Sequence, residues 1–302
     1  MNTGRSGPVV AGVDYSDKSE AAVDSAAWEA QRRGVALRLV HGFVRSQPTP
    51  TEPPYDDNEV VIVAEERLLE STTGIRSRYP GLLIQTKVVA GSGALALLDE
   101  SARASLVVVG ARGHGGFDGL ELGSVATQVG KYARCPVIVV RSDPGRRDDR
   151  RDRTVLVGVD GSAPSTAALS FAFDQAAARG LQLVAVHVWS VPDMSTRSIG
   201  TVWSRNLTLA KIQLRTAAEQ VLADALAGWP QKHPGVTVDR RSLHGDEPAR
   251  TLLAVADEVD AELVVVGSRT GVGAEGMVFG SVSQAIMAHA RVSVAVVRPH
   301  RE

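Results

Sequence analysis

Two stretches of the chain are nearly interchangeable. VVVGARGHGGFDGLELGS (Val107–Ser124) and VVVGSRTGVGAEGMVFGS (Val264–Ser281) each run from an apolar segment through glycine-rich chain into Gly-Ser and a helix-like start. A chain that does this twice builds the same strand–loop–helix unit twice, so duplication is the first constraint on its fold. The glycines leave backbone bare beside a helix N-terminus, where amide donors and a partial positive charge collect. The group this arrangement suits is an anion.

The repeat extends well beyond these loops. PVVAGVD (Pro8–Asp14) returns as TVLVGVD (Thr154–Asp160) 146 positions later, and the offset holds through Arg33-Gly34 and Arg179-Gly180 to His41 and His187. It grows to 157 between Gly110 and Gly267, so the second copy carries extra residues between those points. The expected division is residues 1–141, a charged linker 142–153 (SDPGRRDDRRDR), and residues 154–302. At 302 residues and 44% hydrophobic, the chain can bury two ordinary cores.

Within each copy strand and helix alternate. After Asp14, Ser16 and Asp17 are N-cap candidates, with Glu20 completing a capping box from Asp17. Ala21, Ala22, Ala26, Ala27 and Ala30 give a small-residue helix face. Leu37–Val44 reads as a strand. Ser46–Asn58, with four prolines in 13 residues, is expected to be irregular and to form a functional cover. Val60–Arg78 follows as a helix presenting Val60, Val63, Ala64, Leu68 and Ile75 on one face. Strand Ile84–Val89, helix Gly93–Arg103, strand Leu106–Gly110, helix Gly123–Arg134 and strand Val137–Val140 complete the copy. The second repeats the order, with strands at Val155–Asp160, Leu181–Trp189, Val236–Leu243, Leu263–Gly267 and Val294–Val297. Its helices are expected near Pro164–Arg179, Leu207–Ala227, Pro248–Val259 and Gly280–Arg291.

Strands rich in Val and Leu without alternation, each followed by a helix, specify an α/β fold: two tandem doubly wound domains, each a five-stranded parallel sheet covered on both faces. Ligands in such sheets sit beyond the carboxyl ends of the strands where the strand order reverses. With order 3-2-1-4-5 the reversal falls between the first and fourth strands, which sets Asp14 beside the loop starting at Gly110.

Gly110-x2-Gly113-x9-Gly123-Ser124 after an apolar strand, with Gly-Val-Asp ending the first strand, resembles the ATP-binding branch of the universal stress protein family in tandem form. The resemblance covers the chain except the linker and termini. It implies a nucleotide-binding domain in which Gly110, Arg112, Gly113, Gly123, Ser124 and Val125 surround phosphates and ribose. Gly12, Val13 and Asp14 would meet the ribose side, and backbone near Phe43 and Val89 the adenine. In the second copy it implies Gly158, Val159, Asp160, Val188, His244, Gly267, Arg269, Gly280, Ser281 and Val282. There the pattern departs: Thr270 stands where the second glycine belongs. A β-branched residue is disfavoured at positive φ and brings bulk to the phosphates, so the second site is expected to bind more weakly.

Other readings are weaker. Gly271-x-Gly273-x-x-Gly276 spells a dinucleotide fingerprint, but it follows the fourth strand and Val296 stands where the acidic ribose ligand belongs. No GxxxxGK[ST] supplies a phosphate-loop lysine. Arg112, Arg269 and His114 serve equally well as phosphate contacts or surface residues. His41 and His187 suit hydrogen-bonding roles at the sheet top better than metal ligation. Asp14 and Asp160 are able to help hold Mg²⁺ through phosphates, and Asp160 with Ser162 is an equally good helix cap. Cys135 suits packing better than redox chemistry, and Trp28, Trp189, Trp203 and Trp229 are scattered anchors.

The expected function is an ATP-binding stress-response regulator that acts as a nucleotide-dependent switch; the alternative is a slow ATPase or phosphotransferase at the same sites, for which no general base is placed. A net charge of −1 argues against a nucleic-acid or anionic-membrane partner. A single cysteine, no apolar run of bilayer length and the polar start MNTGRSGP lead us to expect a cytoplasmic protein. The apolar fifth strands invite pairing between the two halves or between two chains as a homodimer.

Overall fold

The computed structural model describes residues 7–43, 57–113, 122–141, 153–191, 203–268, 271–273, 276–278 and 280–299. The linker 142–152, the proline-rich residues 44–56, His114, Arg269 and Thr270 lie outside the described residues, as do the side chain of Trp203 and those of 271–279. The chain divides into two compact units.

The first unit runs β1 (Val9–Gly12), α1 (Asp17–Arg33), β2 (Leu37–Phe43), α2 (Asp57–Arg78), β3 (Ile84–Ala90), α3 (Gly93–Ser101), β4 (Leu106–Gly110), α4 (Ser124–Tyr132) and β5 (Val137–Val140). Its strands are parallel in the order β3-β2-β1-β4-β5. β1 and β4 are entirely apolar up to their last glycine, and Val9, Val10, Ala11, Leu106, Val107 and Val108 have no exposed surface. A strand buried on both faces reads this way because helices cover each side. A Cβ on Gly12 would lie 2.9 Å from Leu97 of α3 and 3.5 Å from Val109, whereas one on Gly110 would meet the Lys18 carbonyl of α1 at 2.9 Å. Since Val109 and Gly110 point to opposite faces, α3 and α1 lie on opposite sides of the sheet.

The second unit runs β6 (Thr154–Gly158), α5 (Ala163–Arg179), β7 (Gln182–Trp189), α6 (Trp203–Leu226), α7 (Trp229–Lys232), β8 (Val238–His244), α8 (Pro248–Glu258), β9 (Ala261–Gly267), β10 (Gly271–Gly273), β11 (Gly276–Val278), α9 (Ser281–His289) and β12 (Ser293–Val297). Its sheet order is β8-β7-β6-β9-β12, the same 3-2-1-4-5 arrangement. The extra residues of the second copy include α7, whose Trp229 ring stacks on the fully buried Phe173 of α5 at 5.2 Å.

Several local expectations are corrected. α2 begins at Asp57, so Asp57 and Asn58 are helical and not part of the irregular segment expected at Ser46–Asn58. On α2 it is Leu68, Thr72 and Ile75 that are buried, while Val60 and Val63 are 37% and 63% exposed. Residues 60–63 are VVIV, apolar all round one turn, so periodicity alone does not orient it. The α1 cap is Ser16, whose hydroxyl accepts the Ser19 N–H at 3.2 Å; the Asp17–Glu20 box is not the capping pair. In agreement with the sequence reading that they are no dinucleotide fingerprint, the letters Gly271-x-Gly273-x-x-Gly276 fall in the antiparallel pair β10–β11 and not in a turn opening a helix.

At one buried position the first helices of the two units differ in charge. Glu29 is fully buried and holds Arg32 and Arg33, each at 2.8 Å; the corresponding position of α5 is Gln175, also fully buried, accepting from Arg179 at 3.0 Å. Burial alone would raise the Glu29 carboxyl, but the charges and hydrogen bonds of Arg33 and Arg32 overcome it and hold it below the usual carboxylate range. A depressed folded value means stability that is present above the unfolded value, about 4.3, and lost as pH falls below it. Glu29→Gln is therefore expected to lower the thermal midpoint at neutral pH and to shrink the further drop on acidification to about pH 3.5. An equal acid drop in the variant and the parent would disprove the assignment.

Candidate functional site

The entry to each first helix is locked in the same way. In the first unit the Asp14 carboxylate accepts from the Ser16 hydroxyl at 2.6 Å and the Ser16 N–H at 3.1 Å, and the Asp14 N–H donates to Ser19 Oγ at 3.1 Å. The second repeats it: Asp160 accepts from the Ser162 hydroxyl at 2.5 Å and N–H at 3.0 Å, and its own N–H donates to Ser165 at 3.3 Å. Aspartate followed by serine two residues on supplies an Asx turn running straight into a serine N-cap. The caps themselves are Ser16 and Ser162, and Asp14 and Asp160 hold those serines in place.

Behind each aspartate the strand end is pinned by histidine. His41 Nδ1 lies 2.8 Å from the Val13 carbonyl oxygen, and His187 Nδ1 lies 2.6 Å from that of Val159. A carbonyl can only accept, so both rings carry the proton on Nδ1. Val13 and Val159 also donate their N–H groups to Val40 and Val186, which closes their backbone into the sheet. Gly12 and Gly158 face Leu97 and Leu252 across the sheet, where their missing side chains make room for α3 and α8.

Across the strand-order reversal, the glycine loop returns on itself. Gly123 donates its N–H to the Ala111 carbonyl at 2.7 Å, so the two ends of the loop lie side by side. A Cβ on Gly123 would be 3.5 Å from the Arg112 Cα and 3.8 Å from the Gly113 nitrogen, and one on Gly113 would run into the Asp14 carboxylate. Asp14, Arg112, Gly113 and Gly123 are therefore brought together, with Ser124 and Val125 exposed in the first turn of α4. Gly123 offers no side chain to cap that turn, in contrast to Ser16 on α1. A ligand with acceptor oxygens would find the amides and positive end of α4 here.

Not every glycine of the motif serves that mouth. Gly110 and Gly267 are needed because the first turns of α1 and α5 press on them: a Cβ on Gly267 would lie 2.6 Å from the Pro164 carbonyl. The second mouth has Gly280 as the N-cap of α9, again without a capping side chain, with Ser281 exposed and Val282 half-buried. Strand register relates the two copies at the ends of their second and third strands. Phe43 pairs with Ala90 and Val89 with Gly42, whereas Trp189 pairs with His244 and Leu243 with Val188. The counterparts of Phe43 and Val89 are thus Trp189 and Leu243, each one residue from Val188 and His244. The offset of 146 between the copies would have found Trp189.

Two residues at the first mouth escaped the sequence reading. Tyr15 sits at φ 63°, a left-handed conformation rare for a bulky residue, and its ring packs on His41 at 4.8 Å. The Arg67 guanidinium lies over that ring at 4.1 Å, and the Tyr15 hydroxyl donates to the Ala64 carbonyl at 3.3 Å, tying α2 to the loop that carries Asp14. Burial raises the Tyr15 phenol and Arg67 draws it partly back. The other is Gly42, where a Cβ would lie 2.5 Å from the Gly93 Cα; a single Gly in a strand signals such close approach. Among the described residues no group of three or more His, Cys, Asp or Glu is placed to hold a metal ion, and no helix is long and apolar enough to cross a membrane.

The sequence pattern describing the universal stress protein family matches residues 6–141 and again 152–298. A universal stress protein of Mycobacterium tuberculosis strain H37Rv is 34% identical over 307 residues, covering 99% of each chain. One from Mycolicibacterium smegmatis is 37% identical over 298 residues, covering 96% of this chain and 97% of its own. Among solved structures, a universal stress protein from Archaeoglobus fulgidus superposes over 98% of this chain and 97% of its own with a TM-score of 0.64 at 21% identity, a likeness of fold.

Proposed function

Since the chain belongs to the universal stress protein family over both of its halves, we propose that it is a stress-response regulator that binds adenine nucleotide, ATP in the first instance, at the mouth between β1 and β4 and at its counterpart between β6 and β9. The observation that carries this reading is the meeting of Asp14 with Gly113 and Gly123 beside the uncapped first turn of α4. Glycine backbone and helix amides suit a polyphosphate, Ser124 adds a hydroxyl donor, and the aspartate suits ribose hydroxyls or, through the phosphates, Mg²⁺. Nucleotide occupancy would order the loops around each mouth, and a protein partner would read that state. In this reading the protein acts in the cytoplasm as a homodimer, which sedimentation at several concentrations tests. The first site is the tighter because Gly113 has Thr270 as its counterpart.

Regulation is preferred to turnover on a specific ground. Each aspartate already accepts from its serine, and His41 and His187 each direct Nδ1 at a strand carbonyl. A general base must approach an attacking water, and these groups serve the backbone instead. Mass spectrometry of nucleotide released from freshly purified protein is expected to find adenine nucleotide at up to two equivalents per chain, with no robust multiple turnover of added ATP. Rapid hydrolysis abolished by Asp14→Ala would overturn the regulatory reading, and protein that neither carries nor takes up nucleotide would overturn binding itself.

A further inference from the structure

At the end of the second unit opposite its mouth, the last turns of α8 and α9 border a cavity of about 200 Å³. α8 ends just before β9 begins and α9 just before β12, so the cavity lies at the amino ends of those strands. Its apolar lining is Leu253, Ala256, Ala290 and Val292, the last three of them buried. Asp257, His289 and Arg291 line it as exposed residues.

The first unit shows what has changed here. Leu252 and Leu97 face Gly158 and Gly12 alike, and α9 and α4 are both nine residues long, so Ala256 matches Ser101, Asp257 matches Ala102 and Arg291 matches Arg134. In the first unit the Ser101 hydroxyl accepts the Arg134 N–H at 2.9 Å. Ala256 has no hydroxyl, and the Arg291 N–H meets no acceptor among the described residues. A backbone donor ordinarily finds its partner in the protein, in water or in a bound group.

Asp257 is the complementary case. It stands in the last turn of α8, where the helix carbonyls collect partial negative charge and a cation is favoured. Its neighbour Glu258 is matched by Arg241 at 2.9 Å, whereas neither Asp257 nor Arg291 forms an ion pair among the described residues. One small cavity is thus lined by an acid and a base that do not neutralise each other. Pockets for drug-sized molecules run to roughly 300–1,000 Å³, so this one suits something smaller. A molecule carrying an ammonium, a carboxylate and a short aliphatic chain answers each feature. Its ammonium meets Asp257 and the terminal carbonyls of α8, its carboxylate meets the Arg291 guanidinium and N–H, and its chain meets Leu253 and Val292.

We infer that the second unit binds a free aliphatic amino acid in this cavity, at a site separate from the nucleotide mouth and without a counterpart in the first unit, where Ala102 replaces the acid. The inference goes beyond the nucleotide reading and stands without it.

The test probe is L-leucine, followed by saturation transfer from the full chain to its methyl protons. It is compared with 4-methylpentanoate, which lacks the ammonium, and 3-methylbutylamine, which lacks the carboxylate. Leucine is expected to bind, and each analogue to bind about tenfold more weakly or worse, having lost one charged contact. Asp257→Asn and Arg291→Gln change exposed side chains and are each expected to weaken leucine about tenfold with the thermal midpoint retained. Ala256→Ser installs the residue of the first unit; it is expected to return an acceptor to the Arg291 N–H, weaken leucine and raise the thermal midpoint. Saturating ATP is expected to leave leucine in place. Absence of saturation transfer to leucine would overturn the site, as would full affinity in both charge variants. Equal binding of all three probes would overturn recognition of the charges, and displacement of leucine by ATP would place it at the mouth instead.

Discussion

Replacing Gly123 with aspartate is expected to weaken ATP binding by the first unit at least about a hundredfold while leaving the fold in place. Gly123 has φ −77° and ψ 162°, ordinary extended backbone, so its glycine is not demanded by conformation. The nearest atom to a Cβ there is the Ala111 carbonyl oxygen at 3.4 Å, an ordinary contact. Aspartate is among the best N-cap residues, and its carboxylate would accept the first-turn amides of α4 that the proposal reserves for phosphate. It would also set a negative charge against the polyphosphate. Helix stability and ligand affinity are thus predicted to move in opposite directions, which separates a binding role from a folding one. Gly280→Asp is the matched change in the second unit, where φ is −62° and ψ 137°. Calorimetry with ATP and thermal unfolding on the same samples decide the matter: unchanged affinity with a stabilised α4 would mean that phosphate does not sit at this helix.

The second large effect concerns folding. Gly267→Val is expected to cost about 3 kcal/mol or more, enough to unfold the second unit or abolish its soluble expression. The Cβ would lie 2.6 Å from the carbonyl carbon and oxygen of Pro164 and 2.9 Å from the Ser165 nitrogen. These are backbone atoms of the first turn of α5, held by the Ser162 cap and by helix packing on the sheet, so no rotamer change relieves the overlap. Gly110, with the Lys18 carbonyl at 2.9 Å, is the equivalent in the first unit and is expected to behave alike. Gly280→Ala, facing the Ser283 hydroxyl at 3.2 Å and nothing nearer among the described residues, is expected to cost well under half as much. Denaturant unfolding followed by tryptophan emission compares them, and a Gly267→Val chain as stable as its parent would show that the approach of α5 is not tight.

Taken together, these substitutions divide a motif that looks uniform in the sequence. Gly110 admits a helix, Gly113 admits the Asp14 carboxylate, and Gly123 leaves a helix end uncovered. Spacing alone marks all of them as backbone that needs no side chain; it does not say what approaches. Tyr15 carries the same lesson from the other side. A tyrosine one residue after Asp14 gives no signal of left-handed backbone, yet its ring comes to lie between His41 and Arg67, which follow it by 26 and 52 positions.

By itself, the sequence determined the duplication and the alternation of buried strands with helices. These follow from local hydrophobic runs and from the crossover rule that makes such a sheet parallel; the order 3-2-1-4-5, on which the meeting of Asp14 with the glycine loop depends, is one of several that the pattern permits, and the strand pairing decides it. Only the tertiary structure decided which glycine faces a helix and which a carboxylate, and which face of α2 is buried. Those outcomes depend on distances of a few ångströms between segments tens of residues apart, and no pattern within a single segment encodes how closely a distant one will approach.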